Sequence, residues 1–422
     1  MNAFLNSLRA RGTPDFAAFQ TTLGHVLPLL DTLPATEQDP EWHAEGDVGT
    51  HTGLVLAEAY ALADQEQLSG DTRQTLVLAA ALHDIGKALT TCRAPDATGQ
   101  ERVISPRHAD RGRSYLAYRL PELGLPDAVL HSVLALVGHH HDLVRALQVG
   151  TLAAYRRLAR QVDLPLLYLL EVADTRGRVT ADQVARLEDL DYFQLQAQDY
   201  GVWGSNPYAD WQGEIGATLS GFSSDFVDLT LQGGILDHEA GLIQVPQEAV
   251  SRSYAARAGF PHLVVTCGPS GSGKSSWIAE QLPEYSVVSL DAIRDELTGK
   301  RADQSLNGQV LQAAKERLRV VLRRNGKVVW DATNTRRDFR RVPLGLGLDY
   351  GALTTLIVFQ PAVSTVFGRN PARQYTVPAS VLAQQIEKAE FPYLPEAHRT
   401  LWLDEFHRET GRAGWSQARG FR

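Results

Sequence analysis

Apolar residues in the first 190 positions recur at helical spacing. Stretches such as TGLVLAEAYALA (52–63) and RQTLVLAAAL (73–82) are long, rich in Leu, Ala and Val, and free of sustained period-two alternation, so the sequence predicts an all-α region over 1–190. The character changes between 195 and 255. Segments such as DYGVWGSNPYADW (199–211) and TLQGGILDHEAG (230–241) are dense in Gly, Asp, Ser and aromatics, and predict a connecting segment over 191–260 with some short strands. From 261 onward, short β-branched runs (LVVTC, SVVSL, KVVW, TTLIVF) alternate with helix-length amphipathic segments, which predicts an α/β domain over 261–422 with a parallel sheet covered by helices.

A chain of 422 residues exceeds what one hydrophobic core usually supports, so a multidomain protein is expected, an all-α domain followed by an α/β domain. Two cysteines, Cys92 and Cys267, lie far apart and outside any metal-type spacing, which argues for packing roles in a reducing compartment rather than a disulfide framework. The N-terminal MNAFLNSLRARGTPDF lacks the apolar run of a signal peptide, and no stretch approaches a membrane span; a cytoplasmic protein without membrane partners is the expectation. Charge is unevenly placed. Counting Lys and Arg against Asp and Glu gives −16 for residues 1–250 and +8 for 251–422, with basic clusters at RLRVVLRRNGK and RRDFRR. A polyanion would favour the C-terminal half, although solvated Arg-rich helix faces give the same count.

The most specific motif is GPSGSGKSS (268–276), directly after the predicted strand LVVTC and before an amphipathic stretch. Glycines in that setting let successive backbone N–H groups point at phosphate oxygens, and the helix N-terminus adds positive potential. Gly268, Ser270, Gly271, Ser272, Gly273, Lys274, Ser275 and Ser276 form the candidate cradle for ATP or another NTP, with Lys274 on the β- and γ-phosphates and Ser275 on Mg2+. Asp291 follows SVVSL and precedes Arg294 by three residues, so both side chains share one face of a helix beginning there, and Asp291 is placed to accept a hydroxyl proton. Asp331 ends KVVW as a Mg2+-associated carboxylate would, with Asn334 just beyond; a helix N-cap is the other role for that aspartate. Arg369 and Arg373 lie four apart, a spacing that turns two guanidiniums the same way over bound phosphates or into surface ion pairs.

In the N-terminal half, LVLAAALHDIGKAL puts His83 and Asp84 at the end of an apolar run, where two polar groups need compensation; a bound cation supplies it. His51, His108, His139, His140, His141 and Asp174 stand at intervals that could complete a mixed nitrogen and oxygen shell. Adjacent residues on a helix diverge by about 100°, so the three consecutive histidines are not all expected at one site.

Residues 261–422 resemble the polynucleotide 5'-kinase branch of P-loop phosphotransferases, whose Asp-x-x-Arg pair acts as general base and acceptor-phosphate clamp; here it falls on Asp291 and Arg294, and the lid arginines on Arg369 and Arg373. The N-terminal half resembles the HD phosphohydrolase superfamily, whose His, His-Asp and distant Asp ligands match His51, His83, Asp84 and Asp174. EGDVGTHTGLVL is similar to HD modules attached to tRNA nucleotidyltransferases. His108 with one or both of His139 and His140 suggests a second metal, Lys87 and Arg178 would be the phosphate-binding cations, and His43 stays open as ligand or substrate contact. Together the two modules, 1–190 and 261–422, resemble the bacterial HD-Pnk family. That resemblance implies a kinase using NTP and Mg2+ on 5'-hydroxyl RNA or DNA ends. It also implies an HD site using one or two transition metals (Mn2+, Ni2+, Co2+ or Zn2+) to remove 2',3'-cyclic, 2'- and 3'-phosphates, with a nucleic-acid ligase acting downstream. Two other readings remain: a nucleotide or alarmone hydrolase fused to a small-molecule kinase, and a ligand-sensing HD module beside a regulatory P-loop.

Overall fold

A computed structural model describes residues 1–300, 305–373 and 375–416, and the chain divides into two compact units, Met1–Pro207 and Tyr208–Arg422. The first unit is a helical bundle. Its Val48–Gln65 helix starts at Asp47, whose carboxylate accepts the Thr50 N–H at 2.9 Å, and the Gly70–Leu82 helix is buried from Arg73 to Leu82. The Leu164–Gly177 helix is capped in the same way by Asp163, which accepts from Leu166 N at 2.9 Å. This helix ends against the Val48–Gln65 helix so closely that a Cβ at Gly177 would lie 2.9 Å from Val55 N. That approach lets position 51 of one helix meet position 174 of the other.

The expectation of a wholly helical half misses one element. Strands β1 (Cys92–Pro95) and β2 (Glu101–Ile104) pair antiparallel as a hairpin. Both strands are short and at least half exposed, so they carry no buried alternation to read.

The second unit begins with helices. Ala209–Thr218, Ser224–Glu239 and Pro246–Arg252 stand where short strands were expected, packed around Trp211, Ile215, Phe226 and Ile235. Glycine misled the reading here: Gly234 lies inside a helix, where a Cβ would strike Ala249, so this glycine permits helix packing rather than a turn. Six strands follow, β3 (His262–Cys267), β4 (Ser286–Ser289), β5 (Lys327–Asp331), β6 (Leu353–Phe359), β7 (Arg399–Leu403) and β8 (Glu409–Ala413), in the spatial order β4-β5-β3-β6-β7-β8. The first five are parallel, as the sequence predicts, and β8 adds an antiparallel edge to β7. The Lys274–Gln281 helix buries Trp277 and Ile278 against Val264, Val329 and Ile357, while Gly347 of the Arg337–Asp349 helix abuts Leu263 and Thr354. Burial on both faces explains the continuous apolar runs of β3 and β6. The helical layer is tied to the sheet by Arg399 of β7, which donates to Asp228 (Nε to Oδ2, 2.8 Å) and pairs with Asp225 at 2.7 Å. Among the described residues, no helix is long and apolar enough to cross a membrane.

Candidate active sites

In the first unit, three histidines spend one ring nitrogen on a backbone anchor and turn the other toward a common centre. His83 Nδ1, His108 Nδ1 and His140 Nδ1 each donate to a backbone carbonyl (Ala80, Ser105 and Val137) at 2.8 Å. A carbonyl only accepts, so in the neutral ring Nε2 carries the lone pair. His108 Nε2 nevertheless stands 3.0 Å from His140 Nε2 and 3.1 Å from His141 Nε2. The two lone pairs of His108 and His140, with the His141 nitrogen beside them, converge at a separation that fits a shared cation. His83 Nε2 is buried without a hydrogen-bond partner, 3.3 Å from Asp84 Oδ2 and 3.7 Å from Asp174 Oδ1.

Asp84 faces two ways. Oδ2 lies 3.7 Å from His51 Nε2, and Oδ1 lies 3.3 Å from His108 Nε2 and 3.7 Å from His140 Nε2. His51 Nε2 in turn meets Asp174 Oδ1 at 3.0 Å. Among the described residues, His51, His83 and Asp174 on one side and His108, His140 and His141 on the other form ligand groups with donor atoms within 4.8 Å of one another, as do His43, Glu45 and His51, and Asp84 lies between the first two. Imidazole nitrogens with carboxylate oxygens suit a divalent transition ion.

His139 is in none of these groups: its Nδ1 bonds Asp142 Oδ2 at 2.7 Å, and of the three-histidine run it is His140 and His141 that stand by His108. The cause is local. The helix Asp127–His139 ends at His139, and His140 (ψ 9°) and His141 (φ −130°) leave helical geometry, so neighbouring side chains no longer diverge by a helical step. Gly86 matters for the same centre. A Cβ there would lie 2.6 Å from Gly112 N and overlap the His108 carbonyl, so only glycine lets the His108–Ala117 helix start this close to Asp84.

The electrostatics follow from burial opposed by neighbours. Burial raises the Asp84 and Asp174 carboxyls, but Lys87 and His83 around the first, and Arg178 and His51 around the second, hold both well below the usual range. Burial also lowers His108 to about 3 and takes His141 well below its ordinary value. Lys87 Nζ bonds Asp84 Oδ2 and Gln38 Oε1, both at 2.7 Å, and Arg178 Nε donates to Asp174 Oδ1 at 3.1 Å. Both cations border a cavity of about 280 Å3 that His108 and His141 also line, together with Trp42 and His43. Glu45 went unnoticed in the sequence. Its Oε1 lies 2.8 Å from His43 Nδ1 and 2.9 Å from His51 Nδ1, so it orients a ligand from behind, and no spacing motif marks it.

In the second unit the phosphate loop joins β3 to the Lys274–Gln281 helix, with Gly271 and Gly273 at φ +86° and +92°. Lys274 Nζ is held by the carbonyls of Gly268 (2.9 Å) and Pro269 (2.8 Å) and by Ser272 Oγ (3.4 Å), and burial lowers its pKa to about 8. A cavity of about 570 Å3 is lined by Ser270, Gly271, Gly273, Lys274, Ser275 and Ser276 of the loop, and by Asp291, Asp331, Arg369 and Arg373 from the strand ends and beyond. Gly268 and Ser272 stand behind the loop, on the Lys274 amine. Asp331 is the last residue of β5, and no helix begins before Arg337, so a strand-end role replaces the helix cap. Burial raises the Asp331 carboxyl, and Ser289 and Ser275 hydrogen-bond it. Asp291 lies in the first turn of the Leu290–Thr298 helix and accepts from Arg294 Nη1 at 2.6 Å, as the three-residue spacing requires.

Two contributors carry no sequence signal. Gln385 Oε1 accepts the Ser270 N–H at 2.9 Å, from 115 residues away, and the β7–β8 turn brings His407 against Gly273, where any side chain would collide with the imidazole.

A family model described as the HD domain matches residues 48–176, and one described as an AAA domain matches 263–392. The chain thus joins an HD-type domain to a P-loop kinase-like domain. Curated relatives are named Multifunctional CCA protein. The one from Xanthomonas campestris pv. campestris (strain B100) is 28% identical over 190 residues, 44% of this chain and 41% of the relative. Its counterpart in Alkalilimnicola ehrlichii is 30% identical over 180 residues, 41% of this chain and 38% of the relative. The matched region therefore spans about two fifths of their length. Among solved structures, a gluconokinase from Sinorhizobium meliloti 1021 is 28% identical, covering 35% of this chain and 83% of that one, with a TM-score of 0.26 that is too low to bear on the fold.

Proposed function

We propose that the protein heals broken nucleic-acid ends: the second unit phosphorylates 5'-hydroxyl RNA or DNA ends with ATP or another NTP, and the first unit removes 2',3'-cyclic, 2'- or 3'-phosphates. The observation that carries this reading is the Asp291–Arg294 pair beside the phosphate-loop cavity, because it provides a base and a second anion clamp where a phosphorylated acceptor would approach.

Phosphoryl transfer requires charge neutralisation more than covalent help. Lys274, Arg369 and Arg373 would surround the donor phosphates, with Mg2+ held at Ser275 and Asp331. Asp291 takes the proton of the 5'-hydroxyl as its oxygen bonds the γ-phosphorus and the bond to the β-phosphate oxygen breaks, releasing the nucleoside diphosphate. Arg294 grips the acceptor's next phosphate.

In the first unit, His51, His83, Asp84 and Asp174 would hold one divalent ion (Mn2+, Ni2+, Co2+ or Zn2+), and Asp84, His108, His140 and His141 a second. Such ions supply Lewis acidity and generate hydroxide near neutral pH. Lys87 and Arg178 bring positive charge to the phosphate. The products, a 5'-phosphate and a free 3'-hydroxyl, are what a nucleic-acid ligase consumes.

The test is an RNA oligonucleotide with a 5'-hydroxyl and a 2',3'-cyclic phosphate, incubated with ATP, Mg2+ and Mn2+ and read at both ends by mass spectrometry. Wild type should gain the 5'-phosphate and lose the 3'-terminal one, Lys274→Ala should lose only the first activity and Asp84→Ala only the second. Unchanged ends with consumption of ATP or free nucleotides would overturn the reading in favour of a small-molecule enzyme.

A further inference from the structure

The cavity that opens from His108 and His141 is lined by an indole that has no role in metal binding or phosphate charge. Trp42 stands on its wall, 39% exposed. One face of the indole is braced, since the Arg102 guanidinium lies 4.7 Å from the ring centroid. Arg102 is itself fixed: it pairs with Asp39 (Nε to Oδ2, 3.5 Å) and with Glu41. Buried Asp39 also accepts the N–H groups of Val103 (3.2 Å) and Glu41 (3.1 Å), which staples the β1–β2 hairpin to the turn carrying Trp42. The hairpin thus holds an indole in place on the wall of a cavity that Lys87 and Arg178 also line. A solvent-facing tryptophan kept in one pose offers a preorganised π-face at little entropic cost.

We propose that Trp42 is the base platform of the first unit: the nucleobase of the terminal nucleotide stacks on the indole while its 2'- or 3'-phosphate reaches the His–Asp centre. This rests on the reading of the first unit given above and adds to it the substrate class, a ribonucleoside phosphate rather than any phosphate ester. Stacking accepts every base, so the site discriminates base from no base without selecting sequence. Arg102 acts as a positioning residue behind the ring.

The experiment compares two secondary phosphomonoesters on the Mn2+-loaded full-length protein, adenosine 3'-phosphate and glycerol 2-phosphate, by phosphate release. Trp42→Ala should lower the kcat/KM ratio of nucleotide over glycerol ester by about ten-fold or more, mainly through KM of the nucleotide. Trp42→Phe should recover most of that ratio, and Arg102→Ala should fall between. A merely structural tryptophan would lower both substrates together; a ratio within two-fold of wild type in Trp42→Ala therefore overturns the platform while leaving the hydrolase intact. Wild-type hydrolysis of glycerol 2-phosphate with none of adenosine 3'-phosphate would instead overturn the nucleotide-end reading of this unit, and the platform with it.

Discussion

Glu45 Oε1 lies 2.9 Å from His51 Nδ1, and both side chains are buried. A carboxylate behind a ligand imidazole fixes the ring and strengthens it as a donor. It also protonates readily in the absence of a cation: burial lowers the pKa of His51, yet Asp174 and Glu45 outweigh that and raise it.

Replacing the carboxylate by its amide should therefore weaken the metal without touching a ligand. Glu45→Gln is expected to lose about 10–100-fold in metal affinity or hydrolase activity. Metal content after dialysis, with kinase activity as the folding control, checks it.

The neighbouring histidines give a sharper contrast. His141→Ala should lower metal stoichiometry and phosphate removal, whereas His139→Ala, which removes a ring turned toward Asp142 and outside the ligand groups, should keep both. Equal losses in the two variants would show that the three-histidine run acts as a polar helix end.

Lys274 predicts the pH response of the other unit. Burial lowers its pKa to about 8 before nucleotide binds, so the ammonium is present below that value and is lost as pH rises through it. Nucleoside triphosphate affinity should accordingly fall between pH 7.5 and 9.5, and binding above pH 8 should take up a proton. Calorimetry in buffers of differing ionisation enthalpy reads both, and the trend should disappear in Lys274→Ala.

Glu171 behaves oppositely. Burial pushes its carboxyl well above the usual range, and Leu143 N–H donates to it at 3.3 Å. The native state thus prefers the protonated acid; its contribution is fully present below the unfolded pKa near 4.3 and is lost as pH rises through the elevated native value. Glu171→Gln should come close to wild-type stability near pH 4 and exceed it at pH 8 in thermal unfolding.

Arg399 and Asp228 form the buried pair between the helical layer and β7. Removing one partner leaves a stranded charge, so Arg399→Leu should cost about 3–5 kcal/mol in unfolding experiments on the second unit. The double variant Arg399→Leu with Asp228→Leu should recover much of the loss.

The α-then-α/β order was legible in the sequence, because deep burial of both strand faces and helix interiors writes itself as apolar runs. So were the phosphate loop and the Asp291–Arg294 pair, whose geometry follows from spacing within one element. What stayed hidden depends on tertiary meetings. Gln385 reaches Ser270 across 115 residues, and Glu45 serves two histidines from a loop of no regular period. Which of His139, His140 and His141 come together stayed open because helical divergence no longer applies past His139, where the helix stops. Glycines within 209–252 resembled loop punctuation, whereas Gly234 is a packing contact.

The hydrogen at Gly86 sets a tolerance for the whole metal centre. His83 and Asp84 belong to one helix end and His108 to the start of another, and Asp84 could reach a cation beside His108 only while those ends can touch. Gly86→Ala would leave every ligand in the sequence and still separate them, so that one ion dissociates before the other and a single cooperative metal-release curve becomes two steps. An inventory of ligand residues would call that protein intact.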